Sequence, residues 1–153
     1  MEVSGATDEL HRTLIERQLE RLVLHSIRAF DARDWHAFAD TFTPDGVFVR
    51  ATAPAEPLVG RAAIVAALAA RTATRLTRHL CTNIEIEVSS ADTASGRCYL
   101  LLFAAEATEP AGVDGYRSDP TQRIGEYHDT FARTAEGWRI ARRAGRLLMY
   151  TGG

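Results

Sequence analysis

Several features are scarce or absent in this 153-residue sequence, and each absence argues against a class of protein. The formal net charge is −2, there is no lysine, and the 18 arginines form no long basic run. Because a phosphate-binding surface needs a basic stripe or patch, nucleic acid is not an expected partner. Four arginines near the C-terminus, Arg139, Arg142, Arg143 and Arg146, fall on a strand-like segment and are expected on its solvated face.

Cysteine is also scarce. Cys81 and Cys98 each lie in an apolar, strand-like stretch without another Cys or His at metal-ligand spacing, so reduced thiols in the core are expected.

No apolar run approaches the roughly 18 residues of a membrane span. The polar, acidic start at residues 1–8 does not resemble a signal peptide. We therefore expect no membrane contact and a cytoplasmic location.

Sequence motifs for nucleotides, catalytic zinc and serine hydrolysis are missing. There is no Walker loop, no GxGxxG, no HExxH and no GxSxG, so neither a cofactor nor a metal is expected. The proportions of 46% hydrophobic and 25% charged residues are those of an ordinary globular protein. The length predicts a single domain over residues 1–153, with its core at about residues 10–150.

Hydrophobic periodicity predicts helices in the first half of the chain. Apolar residues at spacings of three and four predict a long amphipathic helix over residues 8–31. Asp34 is placed to cap a second, short helix, and a third helix is predicted over residues 61–71. The composition of residues 43–46 is typical of a type I turn, and a short strand follows at residues 47–49.

Strands are predicted in the second half. Pro54 and Pro57 indicate a loop, and after residue 75 the hydrophobic period changes to two. The resulting strands cover residues 80–88, 97–108, 122–134 and 138–150. Helices followed by a run of strands indicate the α+β class, with a bent antiparallel sheet packed on three N-terminal helices.

Two titratable residues occupy unusual positions. Asp31 ends the long helix, where the macrodipole disfavours a carboxylate, so it is either solvated or held by a positive or hydrogen-bonding partner. His79 starts a strand that soon becomes apolar, and its imidazole is either a structural group with satisfied hydrogen bonds or a functional one. Asp34 competes with Asp31 for a carboxylate role, although helix capping already explains it.

Six short segments, in this order, resemble the SnoaL-like branch of the NTF2-like superfamily. They are residues 29–35, 42–47, 60–61, 77–83, 125–131 and 137–140, and the resemblance spans residues 10–145. It implies a cone-shaped α+β fold in which the bent sheet wraps over the helices and leaves a deep apolar pocket. It also implies a homodimer in which the outer faces of two sheets pair.

The resemblance implies a catalytic pair. In scytalone dehydratase, hexachlorocyclohexane dehydrochlorinase and bile-acid dehydratases, a helix-end Asp and a strand His work together, and their positions match Asp31 and His79. A carboxylate on one imidazole nitrogen fixes the tautomer and stabilises the imidazolium after proton removal. Simple alternation puts His79 on the face opposite Ile84, so this pairing requires a bulge or bend between Leu80 and Ile84.

Further residues are candidates for substrate binding. Tyr127, Phe131 and Arg133 share one strand face, and the apolar Phe131 indicates that this face is interior. Tyr127 is placed to donate a hydrogen bond to a carbonyl or leaving group, unless its hydroxyl is satisfied at a rim. Arg133 is placed to bind an anion, unless it is solvated. Phe30 and Asn83 complete the set.

The sequence also departs from those relatives. It has no second pocket histidine on the following strand, and the lysine of the dehydrochlorinase site has no counterpart, so neither specific activity is expected. The prediction is a cofactor-independent lyase or isomerase of the dehydratase or cyclase type, acting on a small apolar, cyclic substrate through Asp31 and His79. The alternatives are a non-catalytic module for a small hydrophobic ligand and an interaction protein that uses the outer sheet face.

Overall fold

The computed structural model describes residues 2–152 and confirms the α+β class. Within these residues the helices are α1 (Glu2–Asp31), α2 (Trp35–Asp40) and α3 (Arg61–Ala69). The strands are β1 (Phe42–Arg50), β2 (Ala53–Val59), β3 (Arg75–Val88), β4 (Thr93–Glu106), β5 (Gln122–Thr134) and β6 (Gly137–Thr151). They form a bent sheet in the order β2-β1-β6-β5-β4-β3. No helix in residues 2–152 is both long and apolar enough to cross a membrane.

The sheet is antiparallel except where β1 meets β6. The pairs β3–β4, β4–β5 and β5–β6 are antiparallel, as the sequence predicts, and the pair β1–β2 is antiparallel as well. The pair β1–β6 is parallel, which corrects the expectation of a purely antiparallel sheet. These two strands are far apart in sequence, so no tight hairpin dictates their relative direction.

The segment around β1 and β2 differs from the prediction in two places. Pro54 and Pro57, expected in a loop, belong to β2. This strand forms one edge of the sheet, where a residue without a backbone N–H is tolerated. The predicted turn at residues 43–46 lies within β1, where the pairing with β6 is interrupted between Phe42 and Val47.

The core lies between the helices and the inner face of the sheet. One stripe of α1 is buried, as its periodicity predicts, and consists of Ile15, Leu19, Val23 and Ile27. Burial of each such side chain stabilises the fold by about 1.5–3 kcal/mol. An aromatic cluster joins α1, α2 and β1, with ring centroids 5.2–5.9 Å apart, and comprises Phe30, Phe38, Phe42 and Phe48. It holds the end of α1 against the sheet, directly before Asp31.

A bulge in β3 changes the side-chain parity of that strand. The register with β4 shifts between Thr82 and Glu85, and Asn83 has a φ of 51°. Before the shift Thr77 and His79 face inward, whereas Leu80 is 51% exposed. After it, the even-numbered apolar residues of the strand face the core. The bulge that the sequence required is therefore confirmed, and it allows His79 and the later apolar residues to share one face.

A buried ion pair connects the sheet to α1. Arg143, expected on a solvated strand face, is fully buried, and two of its nitrogens contact the Asp129 carboxylate at 2.6 and 2.8 Å. A third nitrogen donates to the Ser26 hydroxyl of α1 at 2.7 Å. Burial alone would lower the pKa of Arg143, but the attraction and hydrogen bonds of Asp129 outweigh it and raise that pKa. The pairing of β6 with β5 shifts register between Thr130 and Phe131, which changes the parity of β6 after the buried Ile140. Arg143 therefore faces the core, while Arg142 is exposed.

The substitution Asp129→Ala is expected to lower the free energy of unfolding by about 3–5 kcal/mol, because it leaves the Arg143 guanidinium buried without a counter-charge. Urea denaturation followed by circular dichroism measures the change. Asp114→Ala, at an exposed loop position, is the matched control and should change stability by no more than about 0.5 kcal/mol. Equal effects of the two substitutions would contradict the buried pair.

Candidate active site

Asp31 and His79 meet although 48 positions separate them in the sequence. Asp31 Oδ1 lies 2.6 Å from His79 Nδ1, the length of a strong charge-assisted hydrogen bond. The two side chains are 11% and 9% exposed, so little water competes for the contact. Because Asp31 contacts Nδ1, the other imidazole nitrogen, Nε2, is not bonded to the aspartate.

Two further donors of β3 hold the Asp31 carboxylate. Asp31 Oδ2 accepts the backbone N–H of His79 at 2.8 Å, and Oδ1 accepts the Thr77 hydroxyl at 3.1 Å. Together with the imidazole, these donors offset the unfavourable position of a carboxylate at a helix C-terminus. Of the two possibilities that the sequence left open for Asp31, a solvated carboxylate and a partnered one, the structure has the second.

The end of α1 is shaped so that Asp31 and Asp34 have separate roles. Arg33 adopts a left-handed φ of 60°. Its N–H donates to Phe30 O, and the Asp34 N–H donates to Ala29 O, as in a Schellman motif. Asp34 Oδ1 then accepts the Ala37 N–H at 3.0 Å and caps α2. Helix capping thus accounts for Asp34, as predicted.

A cavity of about 270 Å³ lies between the sheet and the helices, and His79 forms part of its wall. Apolar and aromatic side chains supply much of the rest, among them Phe30, Phe48, Leu68, Leu100, Leu102 and Tyr127. The Phe30 ring meets the His79 imidazole edge-on, with centroids 5.2 Å apart. Since a cavity of ~150 Å³ accepts benzene, this one has room for a molecule with one or two rings.

Three residues expected at the pocket lie elsewhere. Asn83 is exposed at the bulge of β3, and Phe131 is buried in the main core. Arg133 is exposed near the end of β5, six residues beyond Tyr127. At about 3.3 Å per residue, this separation amounts to roughly 20 Å along the strand. Tyr127, Phe131 and Arg133 have the same parity on β5, as the sequence predicts. Residues that share a strand face can still lie too far apart to form one site.

The sequence interpretation missed the arginines of the cavity wall. Arg50, Arg71, Arg75, Arg123 and Arg146 all line it. They come from β1, β3, β5, β6 and the segment after α3, so no local spacing relates them. Within residues 2–152, no group of three or more His, Cys, Asp or Glu side chains is arranged to hold a metal ion.

The fold agrees with a comparison to known families. A model of the SnoaL-like domain matches residues 11–144. The chain belongs to the SnoaL-like domain family. The resemblance inferred from six short segments is therefore confirmed. No curated protein matches this SnoaL-like chain in a sequence search.

Solved structures similar to this SnoaL-like protein cover nearly all of its length. An NTF2-like protein with a cystatin-like fold from Novosphingobium aromaticivorans is 26% identical over 93% of this chain and 88% of that one, with a TM-score of 0.72. A Catenulispora acidiphila protein in complex with S-DNPA is 25% identical over 88% and 94%, with a TM-score of 0.67. A type 2 hexachlorocyclohexane dehydrochlorinase is 18% identical over 95% of this chain and 93% of that one, with a TM-score of 0.76. At this identity the similarity is one of fold.

Tyr127 of this SnoaL-like protein lines the cavity from β5. Its ring lies beneath the Arg143 guanidinium, with 4.5 Å between Cζ and the ring centroid. Burial raises the pKa of Tyr127 to about 12, although Arg143 acts in the opposite direction. The side chain is therefore a neutral phenol at physiological pH and can donate a hydrogen bond inside the cavity.

The raised pKa of Tyr127 predicts a late phase in a phenolate absorbance titration, centred at about pH 12, that Tyr127→Phe removes. Because an unfolded tyrosine ionises near its ordinary pKa of about 10, the unfolded state loses this proton first. The Tyr127 contribution to stability is therefore present below pH 10 and declines as the pH rises towards 12. Identical titrations of the wild-type and Tyr127→Phe proteins near pH 12 would contradict the burial of the hydroxyl.

Proposed function

We propose that this protein is a cofactor-independent lyase or isomerase in which His79 is the general base and Asp31 orients it. The observation that carries the proposal is the 2.6 Å contact between His79 Nδ1 and Asp31 Oδ1 in the wall of a largely apolar cavity. Membership of the SnoaL-like domain family and the fold shared with a dehydrochlorinase support the proposal. The relative crystallised with S-DNPA supports small-molecule binding.

The geometry assigns a task to each imidazole nitrogen. Nδ1–H donates to Asp31, so Nε2 keeps its lone pair and accepts a proton from a substrate carbon. Asp31 cannot readily turn away, because its other oxygen accepts the His79 backbone N–H. Once the proton is transferred, the carboxylate stabilises the imidazolium, and the low dielectric of the cavity strengthens this attraction.

The carbon–hydrogen electron pair left on the substrate then forms a new double bond. In a lyase that bond forms as a β-substituent, such as a hydroxyl, leaves as water with the proton from His79. In an isomerase the imidazolium returns the proton to a different carbon. In either reaction, the neutral Tyr127 hydroxyl would donate a hydrogen bond to the substrate oxygen on which negative charge develops.

The experiment is proton exchange at the carbons beside a ketone. Cyclohexanone and 2-tetralone are incubated with the protein in D₂O, and loss of the α-proton signals is followed by NMR. His79→Gln is expected to slow the protein-dependent exchange by about 10²–10⁴-fold, the usual contribution of a general base. Asp31→Asn should also slow it, because the tautomer is no longer held.

The matched control is His128→Gln. His128 also contacts a carboxylate, with 2.9 Å between Nε2 and Glu126 Oε1, but its side chain is 56% exposed. This substitution should leave the exchange rate unchanged. Ketone binding without exchange, unaffected by His79→Gln, would instead favour the ligand-binding module. If the ketones do not bind and no exchange occurs, the result would favour the interaction protein.

We also propose that two copies of the chain pair through the outer face of the sheet. Leu80, Leu101, Ile124 and Met149 lie directly opposite one another in successive strands, so their side chains share one face. Leu80 and Met149 are 51% and 57% exposed, which leaves this apolar row open to a partner. Rows of exposed apolar side chains are typical of protein interfaces.

The substitution Leu80→Arg is expected to convert a dimer into a monomer, because it buries a charge in the paired face. Size-exclusion chromatography with light scattering measures the mass of each variant. Leu14→Arg, which alters a 53% exposed leucine of α1, should not change the mass. A wild-type protein that is monomeric at high concentration would overturn the proposal.

A further inference from the structure

The cavity wall carries an excess of positive charge. Five arginines line it, whereas Glu126 is the one carboxylate among its lining residues. This charge is unexpected for a site inferred to take a wholly apolar substrate. Three of them are paired with carboxylates, whereas Arg71 and Arg123 have no ion pair within the described residues. Of these two, Arg71 is the one that shares the Phe30 ring with His79.

Three of the five arginines have carboxylate partners. Arg75 pairs with Glu106 and Asp119, and Arg146 Nε lies 3.5 Å from Glu126 Oε1. Arg50 contacts Glu56 through Nη2 at 3.3 Å, but its Nε is buried and has no hydrogen-bond partner in the described part of the chain. Because this nitrogen is enclosed by the protein, Arg50 does not offer it to a ligand.

Arg71 has no carboxylate within ion-pair distance in residues 2–152. It is only partly exposed, and its guanidinium lies over the Phe30 ring, with Cζ 5.1 Å from the centroid. Burial lowers the pKa of Arg71, and the neighbouring charges of Arg33, Arg75 and Arg50 lower it further. A half-buried cation among other cations is costly without a counter-ion.

The backbone around Arg71 is held in place. Arg33 donates to Arg71 O at 3.2 Å and to Arg75 O at 3.3 Å, and its own guanidinium lies 5.1 Å from the Trp35 ring centroid. These bonds fix the turn between α3 and β3. The guanidinium of Arg71 is thus presented to the cavity from a positioned segment, a favourable basis for binding a planar carboxylate.

We propose that Arg71 binds a carboxylate carried by the ligand of this cavity. The ligand is then a small cyclic carboxylate rather than a wholly apolar molecule. The Arg71 Cζ and the His79 ring centroid lie 5.1 and 5.2 Å from the Phe30 ring centroid, so both groups belong to the same part of the cavity wall. The role of His79 towards that molecule rests on the proposed function, whereas the carboxylate site does not.

The test compares two probes that differ in charge, 4-oxocyclohexanecarboxylate and its primary amide. Isothermal titration calorimetry measures the Kd of each. The wild-type protein is expected to bind the carboxylate about 10–100-fold more tightly than the amide, the range expected of hydrogen bonds to a charged group. This preference should shrink as the salt concentration rises.

Arg71→Gln should remove most of the preference, and Arg71→Lys should retain part of it. Arg21→Gln, at an exposed position on α1, is the matched control and should leave both Kd values unchanged. The salt dependence of the wild-type protein needs no variant, so the test survives if Arg71→Gln does not fold. Equal affinity for the two probes would overturn the carboxylate site.

The outcomes separate this inference from the proposed function. Carboxylate binding that depends on Arg71, without His79-dependent proton exchange, would support the anion site and contradict the enzyme. Proton exchange that depends on His79, with equal affinity for carboxylate and amide, would support the enzyme and overturn the anion site.

Discussion

A carboxylate at the C-terminal end of a helix is electrostatically unfavourable, and Asp31 is tolerated there because β3 surrounds it with donors. The Thr77 hydroxyl, the His79 backbone N–H and the His79 imidazole all point at its two oxygens. These contacts join the end of α1 to β3, an edge strand of the sheet. The same contacts orient the imidazole towards the cavity, so the structural join and the candidate base are one set of interactions.

That join depends on two backbone irregularities. Arg33 in a left-handed conformation ends α1 immediately after Asp31, and the bulge at Asn83 reverses the parity of β3. Without the bulge, His79 and the apolar residues from Ile84 onward could not face the same side. The positive φ of Asn83 is unusual for a residue other than glycine and is tolerated more often by asparagine than by most others.

The interior holds charge in two different ways. Arg143 hydrogen-bonds to both the Asp129 carboxylate and the Ser26 hydroxyl, and its guanidinium packs on the Tyr127 ring. The cavity, in contrast, has a cationic group at Arg71 that no carboxylate neutralises within the described chain. A satisfied network stabilises a fold, whereas incompletely satisfied donors in a cavity are suited to a ligand.

Local sequence signals were enough for the α+β class, the helix that ends at Asp31 and the capping role of Asp34. Each depends on periodicity or on a short-range cap, which neighbouring residues determine. The need for a bulge in β3 followed from strand parity once the family resemblance had paired Asp31 with His79. The parallel β1–β6 pair, the burial of Arg143 and the placement of five arginines on one cavity wall were decided by the tertiary structure alone, because each joins segments whose distance in space no local pattern specifies.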